Sequence, residues 1–224
     1  QNIYPPMSTQ LEALDIRLMS GYQKEHLELL KPDLVVIGNA LSRGNPAVEY
    51  ILNRGLRYCS DPQWLSEAVL RDRWVLAVAG THGKTTTSSI LSHILYENNI
   101  SFTSFIGGIS ENYDSNLLQN GNDIVLVEAD EFDRSFHTLF PNIACVTSTD
   151  SDHLDIYNSE QELKKSFIQF TDNIKSKGLL FSNEKTLLGG ISYGFSSESE
   201  YFISNYSSAK YSSFFDINHN GSLI

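Results

Sequence analysis

The sequence predicts an α/β chain organised around a mostly parallel sheet. Short β-branched runs alternate with amphipathic stretches along most of its length, the pattern of repeated strand–loop–helix units. The run Trp74-Val75-Leu76-Ala77-Val78-Ala79 is apolar throughout, as expected of a strand covered on both faces. It passes directly into a glycine-containing loop and then a helical period, and in open parallel sheets such strand ends carry the ligand site.

Taken in order, residues 34–37 form a buried strand that leads into Gly38-Asn39-Ala40. Asp61-Pro62 then opens a helix, with Asp61 as N-cap and Pro62 at the first helical position. Trp64, Leu65, Ala68 and Val69 recur at helical spacing and are assigned to core. The charged break Arg71-Asp72-Arg73 marks the expected domain boundary, dividing the chain into residues 1–72 and 73–224. After strand 74–79 and the loop, a helix spans about 84–98, with Ile90, Leu91, Ile94 and Leu95 as its core face. Strands follow at 101–105, 124–127, 143–147 and 179–181, with a helix near 160–170. From about Gly189 the chain becomes rich in Ser, Tyr, Phe and Asn with few charges. Short antiparallel strands or an irregular extension are expected there.

Composition removes several classes of function. Sixteen basic against 27 acidic residues give a formal charge of −11, so no broad nucleic-acid surface is expected. Any bound phosphate must be held locally by backbone N–H groups, a cation or two and metal. Apolar residues make up 41%, an ordinary globular share that argues against disorder. No apolar run reaches the roughly 18 residues of a membrane span, and no signal peptide is expected. Cys59 and Cys145 are far apart and form no C-x-x-C pair; they read as structural thiols in a reducing, cytoplasmic setting.

Three motifs carry chemistry. The first is Gly80-Thr81-His82-Gly83-Lys84-Thr85-Thr86, placed between a buried strand and a helix. Glycines admit close backbone approach, N–H groups and the helix N-terminus face an anion, and a lysine reaches terminal phosphates. A hydroxyl directly after that lysine suits Mg²⁺. The general Walker pattern places a glycine where Val78 stands, so this loop is a shortened relative of it. The second motif, Glu128-Ala129-Asp130-Glu131-Phe132-Asp133, sets four carboxylates at the end of an apolar strand, where they suit Mg²⁺ or form an acidic turn. The third, Asp150-Ser151-Asp152-His153-Leu154-Asp155, also follows a strand and makes His153 a candidate for a metal shell. His82 shapes the loop, and His26, His93, His137 and His219 are ordinary residues.

Together G-T-H-G-K-T-T, V-E-A-D-E-F-D and D-H-L-D-I-Y resemble, in order and spacing, the Mur ligase family, in the branch that acts on UDP-N-acetylmuramate. Residues 1–87 resemble its tripeptide ligases, through stretches such as Asn2–Ser8 and Gly38–Pro46. Residues 88–205 resemble its L-alanine ligases, through Phe105–Ile109, Glu128–Phe136 and Thr147–Tyr157. A join of two lineages and a single divergent branch both fit that pattern.

The resemblance implies a partial Rossmann-like N-terminal domain for the UDP-sugar, truncated at its start. It implies a P-loop central domain after that, truncated at its end, and leads us to expect that the C-terminal ligase domain is absent from these residues. It implies ATP and Mg²⁺ as cofactors, with UDP-N-acetylmuramate and L-alanine, or the tripeptide, as partners. The implied reaction passes through an acyl phosphate, and a non-catalytic nucleotide-binding fragment is the alternative from another class. Lys84 would contact the β- and γ-phosphates; Thr85 and Glu128 would hold Mg²⁺, with His153 on a second ion or in its shell. Gly80, Thr81, His82, Gly83, Lys84, Thr85 and Thr86 would form the nucleotide cradle. Asn39, Ser42, Gly107 and Gly108 would contact the nucleotide sugar. The family often carries Asn five residues before the motif histidine; here Ser148 occupies that place.

Overall fold

The computed structural model describes residues 7–38, 40–150, 157 and 159–224. The chain forms two compact units, residues 1–64 and 65–224.

In the first unit, helices α1 (Met7–Ala13) and α2 (Lys24–Leu30) precede β1 (Val35–Ile37), α3 (Pro46–Arg54), β2 (Tyr58–Ser60) and α4 (Asp61–Trp64). Strands β1 and β2 pair in parallel, Val35 opposite Tyr58 and Ile37 opposite Ser60, with α3 as the crossover. Helix α3 starts where its sequence instructs. Asn45 caps it by accepting the amides of Ala47 and Val48, and Pro46 follows at the first turn. Gly55 ends it with φ of 62°, a left-handed cap that glycine adopts at little cost. At α4 the expected cap is displaced: Asp61 is the first helical residue, and Ser60 Oγ accepts the Gln63 amide at 3.3 Å.

The second unit begins with a π-helical stretch, Leu65–Leu70. That geometry corrects the expected apolar stripe. Leu70 is buried and Leu65 and Val69 pack against the core, whereas Trp64 and Ala68 are exposed. The wider turn brings positions five apart into line, so Leu65 and Leu70 share a face. Residues 65–70 pack with the second unit, and Ser66 Oγ donates to the Thr138 carbonyl at 2.6 Å.

Among the described residues ten strands follow: β3 (Trp74–Ala79), β4 (Phe102–Ser110), β5 (Ser115–Gln119), β6 (Ile124–Ala129), β7 (Ile143–Val146), β8 (Leu179–Asn183), β9 (Ile191–Gly194), β10 (Tyr201–Ala209), β11 (Ser212–His219) and β12 (Ser222–Leu223). They make one sheet in the order β12-β11-β10-β9-β8-β7-β3-β6-β4-β5. The run from β10 through β4 is parallel, and both ends turn antiparallel. The tail therefore departs from its expectation in part. β9 and β10 extend the parallel sheet, and only β11 and β12 run antiparallel. β5, absent from the sequence reading, is a half-buried edge strand without strong apolar alternation.

Helices α5 (Lys84–Glu97) and α6 (Glu160–Asp172) flank this sheet. Ser159 caps α6 by accepting the Glu162 amide, and Leu163, Phe167 and Phe170 bury completely in the main core with Val75, Ala77, Val127 and Phe136. Helix α5 corrects a second expectation. Ile90 and Ile94 are exposed, and the face toward the sheet is Ser88, Leu91, Ser92 and Leu95. Ser88, Ser92 and Ser104 are fully buried small residues, which let the helix approach the sheet closely. Both cysteines are free. Among the described residues no helix is long and apolar enough to cross a membrane.

Candidate functional site

Sheet register gathers the motifs. Strand β3 lies between β6 and β7, with Ala79 level with Ala129 on one side and Val146 on the other. Three parallel strands therefore end together. The glycine loop, the acidic turn and residues 147–150 leave from the same edge, the position where parallel sheets hold ligands.

Lys84, the first residue of α5, folds back into this edge. Its Nζ donates to the Gly80 carbonyl at 2.7 Å and to Glu131 Oε2 at 2.6 Å, with Asp130 Oδ1 at 3.6 Å. Glu131 has no exposed surface, and Asp130 is more than half exposed. The next residue, Thr85, donates its hydroxyl to Glu128 Oε2 at 3.0 Å, and the Gly107 amide donates to Glu128 Oε1 at 2.6 Å. A side chain at Gly107 would collide with that carboxylate, since its Cβ would lie 2.8 Å from Glu128 Oε2. The irregular register of β4 between Phe105 and Ser110 brings this glycine to Glu128.

The acidic motif thus divides its labour: Glu128 faces Thr85, and Glu131 faces Lys84. A short 3₁₀ stretch, Phe132–Thr138, turns the chain away behind them. Tyr157 anchors this turn from the far side of the third motif. Its phenol donates to the Glu131 carbonyl at 2.6 Å and meets Ser166 Oγ at 3.2 Å. Burial pushes that phenol above its ordinary pKa, so it remains a donor. His137 Nε2 reaches the same Ser166 hydroxyl at 2.9 Å, a structural contact.

The loop is held from the β7 side. Thr147 continues the ladder by giving its amide to the Ala79 carbonyl, and its hydroxyl is shared between the carbonyls of Ala79 and His82. The Ser148 carbonyl accepts the Thr81 amide at 3.2 Å. Ser148 Oγ accepts the His82 amide at 2.9 Å and meets Thr81 Oγ1 at 2.7 Å. The amides of Thr81 and His82 are therefore engaged within the protein. The first helical bond of α5 runs from the Thr87 amide to the Gly83 carbonyl, so the amides of Lys84, Thr85 and Thr86 belong to the open first turn.

The sequence-predicted residues meet unevenly. Gly80 through Thr86, Glu128, Gly107 and Gly108 converge at one edge; a Cβ at Gly108 would touch Thr85 Cγ2 at 3.5 Å. Ser42 is an exposed residue of the first unit, in a loop that Glu49 ties down through Arg43 and the Gly44 amide. Asn39 and His153 lie outside the described residues. Among the described residues no three His, Cys, Asp or Glu side chains cluster as metal ligands. The sequence reading missed Glu131 as partner of Lys84, and Thr147 and Ser148 as the other wall of the loop.

Two family profiles cover most of the chain. The Mur ligase middle domain matches residues 78–221, and the Mur ligase family catalytic domain matches residues 1–73. The chain belongs to the Mur ligase family. Among individual Mur ligases, it is 45% identical over 188 residues to UDP-N-acetylmuramate–L-alanine ligase of Flavobacterium psychrophilum, covering 81% of this chain and 42% of that protein. It is 40% identical over 189 residues to the Haemophilus influenzae UDP-N-acetylmuramate–L-alanyl-γ-D-glutamyl-meso-2,6-diaminoheptandioate ligase, again covering 81% and 42%. Each alignment is too long to fit on one side of residue 87. The chain thus spans about two fifths of the length of these relatives. Its fold matches the corresponding tripeptide ligase structure from Neisseria meningitidis with a TM-score of 0.88 at 33% identity, over 99% of this chain and 75% of that one. An alanine ligase structure from Thermotoga maritima shares the fold, with a TM-score of 0.81 at 24% identity over 96% of this chain and 50% of that one.

Proposed function

We propose that this chain is the nucleotide-handling part of an ATP-dependent ligase that joins L-alanine to the lactyl carboxylate of UDP-N-acetylmuramate. The observation that carries the reading is the pairing at one sheet edge of Lys84 with Glu131 and of Thr85 with Glu128. A cation for phosphate and an oxygen pair for a hard metal then stand on consecutive residues of one helix. We place the domain boundary at 72/73, between a Rossmann-like UDP-sugar domain and a P-loop domain.

Residues 80–86 form the phosphate loop in this reading. Because the Thr81 and His82 amides are engaged by Ser148, the anion falls to the helix first turn, with the amides of Lys84, Thr85 and Thr86 and the Lys84 ammonium. Lys84 has three N–H donors; two are fixed by Gly80 and Glu131, and the third is directed to phosphate. The Thr85 hydroxyl and Glu128 carboxylate offer hard oxygens, which fits Mg²⁺, an ion normally held by one or two carboxylates plus phosphates and water. His153 is assigned to a second ion or to its shell. Bound there, Mg²⁺ would neutralise charge between phosphate oxygens. The lactyl carboxylate takes the γ-phosphoryl group of ATP, and an amine then displaces phosphate from the acyl phosphate to give the amide. The protein's work is alignment of two anions and stabilisation of the transferring charge. Gly107 and Gly108 are assigned to the nucleotide sugar.

A second reading is the tripeptide ligase, favoured by the 0.88 TM-score and 33% identity to the Neisseria structure. Phosphate release by the complete gene product, given ATP and UDP-N-acetylmuramate with either L-alanine or the tripeptide, decides between them. Release that ignores UDP-N-acetylmuramate would sink both.

A further inference from the structure

We infer that Ser148 is a positioning residue that sets the glycine loop in its anion-receiving shape; the inference rests on the phosphate-binding reading above. The loop contains two glycines in the left-handed half of backbone space, Gly80 at φ 137° and Gly83 at φ 84°. Glycine at such positions carries the largest conformational entropy to lose, so the loop needs an external brace to hold one shape. Residues 147 and 148 supply it. Thr147 extends the β3–β7 ladder by one step past the sheet edge, which fixes where Ser148 stands. From there Ser148 makes three contacts to two successive loop residues: its carbonyl to the Thr81 amide, and its hydroxyl to the Thr81 hydroxyl and the His82 amide.

The consequence is directional. Two loop amides are turned inward onto Ser148, and Thr81 is buried with them. The next amides in sequence belong to the open turn of α5, so pinning 81 and 82 aims 84 to 86. Close packing on this wall leaves no room at Gly80, where a Cβ would lie 2.8 Å from the Ser148 backbone nitrogen. The Ser148 carbonyl and hydroxyl are both directed at the loop. It acts through Thr81 and His82, by ordering the loop before the anion arrives, and preorganisation of this kind appears as affinity.

The test uses the 224-residue chain, Mg·ADP as probe, calorimetry for affinity and amide hydrogen exchange for loop order. Ser148→Ala removes the hydroxyl contacts and keeps the carbonyl contact. It is expected to weaken Mg·ADP about tenfold, the effect of two ordinary hydrogen bonds, and to speed exchange of the His82 amide without changing exchange in β3. Ser148→Thr keeps the hydroxyl and is expected to return affinity to within about twofold of the parent. The inference is overturned if Ser148→Ala binds as tightly as the parent. It is equally overturned if affinity falls only together with loss of β3 protection, or if Ser148→Thr fails to rescue. A parent chain that does not bind Mg·ADP overturns the phosphate-binding reading itself, and this inference with it.

Discussion

The Lys84 ammonium lies 2.6 Å from Oε2 of Glu131, a carboxylate with no exposed surface. Each charge is the other's compensation, because little water reaches either one. A Lys84→Ala substitution therefore does more than remove the proposed phosphate contact: it takes the cation away from a buried carboxylate. Breaking such a pair costs about 3–5 kcal/mol, and the low end applies because Lys84 keeps 16% of its side chain exposed. The expected result in urea unfolding is a large loss of stability for Lys84→Ala. The double variant Lys84→Met with Glu131→Gln should recover most of it. Equal stability of Lys84→Ala and the parent would contradict the pair. The double variant is the one that separates loss of stability from loss of nucleotide binding.

Glu128 and Thr85 make the complementary prediction about metal. Both Glu128 oxygens are engaged on the protein side, by Thr85 Oγ1 and the Gly107 amide, which orients the carboxylate beside the loop. Glu128→Gln keeps the shape and removes the charge. ADP affinity with Mg²⁺ should fall on the order of tenfold, while affinity in excess chelator stays near the parent value. A loss of the same size in both conditions would argue against a metal role.

Two of the glycines at this site, Gly80 and Gly107, should respond differently to alanine. At Gly80 a Cβ would run into Thr147 Oγ1, which the Ala79 and His82 carbonyls hold in place, and would lie 2.8 Å from the Ser148 backbone nitrogen; φ is 137°, so Gly80→Ala combines strain with a clash that cannot move aside. A loss of several kcal/mol is expected, of the order of strained-backbone and overpacking costs together. At Gly107 the neighbour is the end of the Glu128 side chain, which can swing away. Gly107→Ala should therefore stay within about 1 kcal/mol of the parent in stability yet weaken Mg²⁺-dependent nucleotide binding. Thermal unfolding and calorimetry of both variants check the contrast.

What could be read in the sequence follows from how local each signal is. Strand β3, the loop and α5 were readable because an apolar run, a glycine turn and a hydroxyl-rich helix start are contiguous in the chain. Glu128 was readable because a carboxylate at the end of an apolar strand is also a local pattern. The partner of Lys84 was not, because Glu131 is 47 residues away and four acids in one short turn look alike until register separates them. Ser148 was visible only as an unusual residue before the third motif, and its work depends on β7 lying beside β3. The core face of α5 misled for a different reason. Isoleucine spacing points to Ile90 and Ile94, but close approach to the sheet is met by Ser88 and Ser92, small residues that a hydrophobic pattern does not register.

A pH dependence should arise away from the site, at Glu184. Its Oε2 accepts the Ser196 amide at 2.9 Å and the Ser199 hydroxyl at 2.8 Å, tying the end of β8 to the turn between β9 and β10. These donors, the Ser196 amide first, hold the carboxyl below its ordinary range. A depressed folded-state pKa means the unfolded chain binds the proton more readily. The stabilisation is therefore present above the ordinary carboxylate pKa and is lost as pH falls through it toward the lower folded value. Glu184→Gln can still accept both hydrogen bonds but has no charge to lose. Its urea midpoint should change less than the parent's between about pH 7 and about pH 4, and identical acid limbs for the two proteins would rule out Glu184 as a contributor.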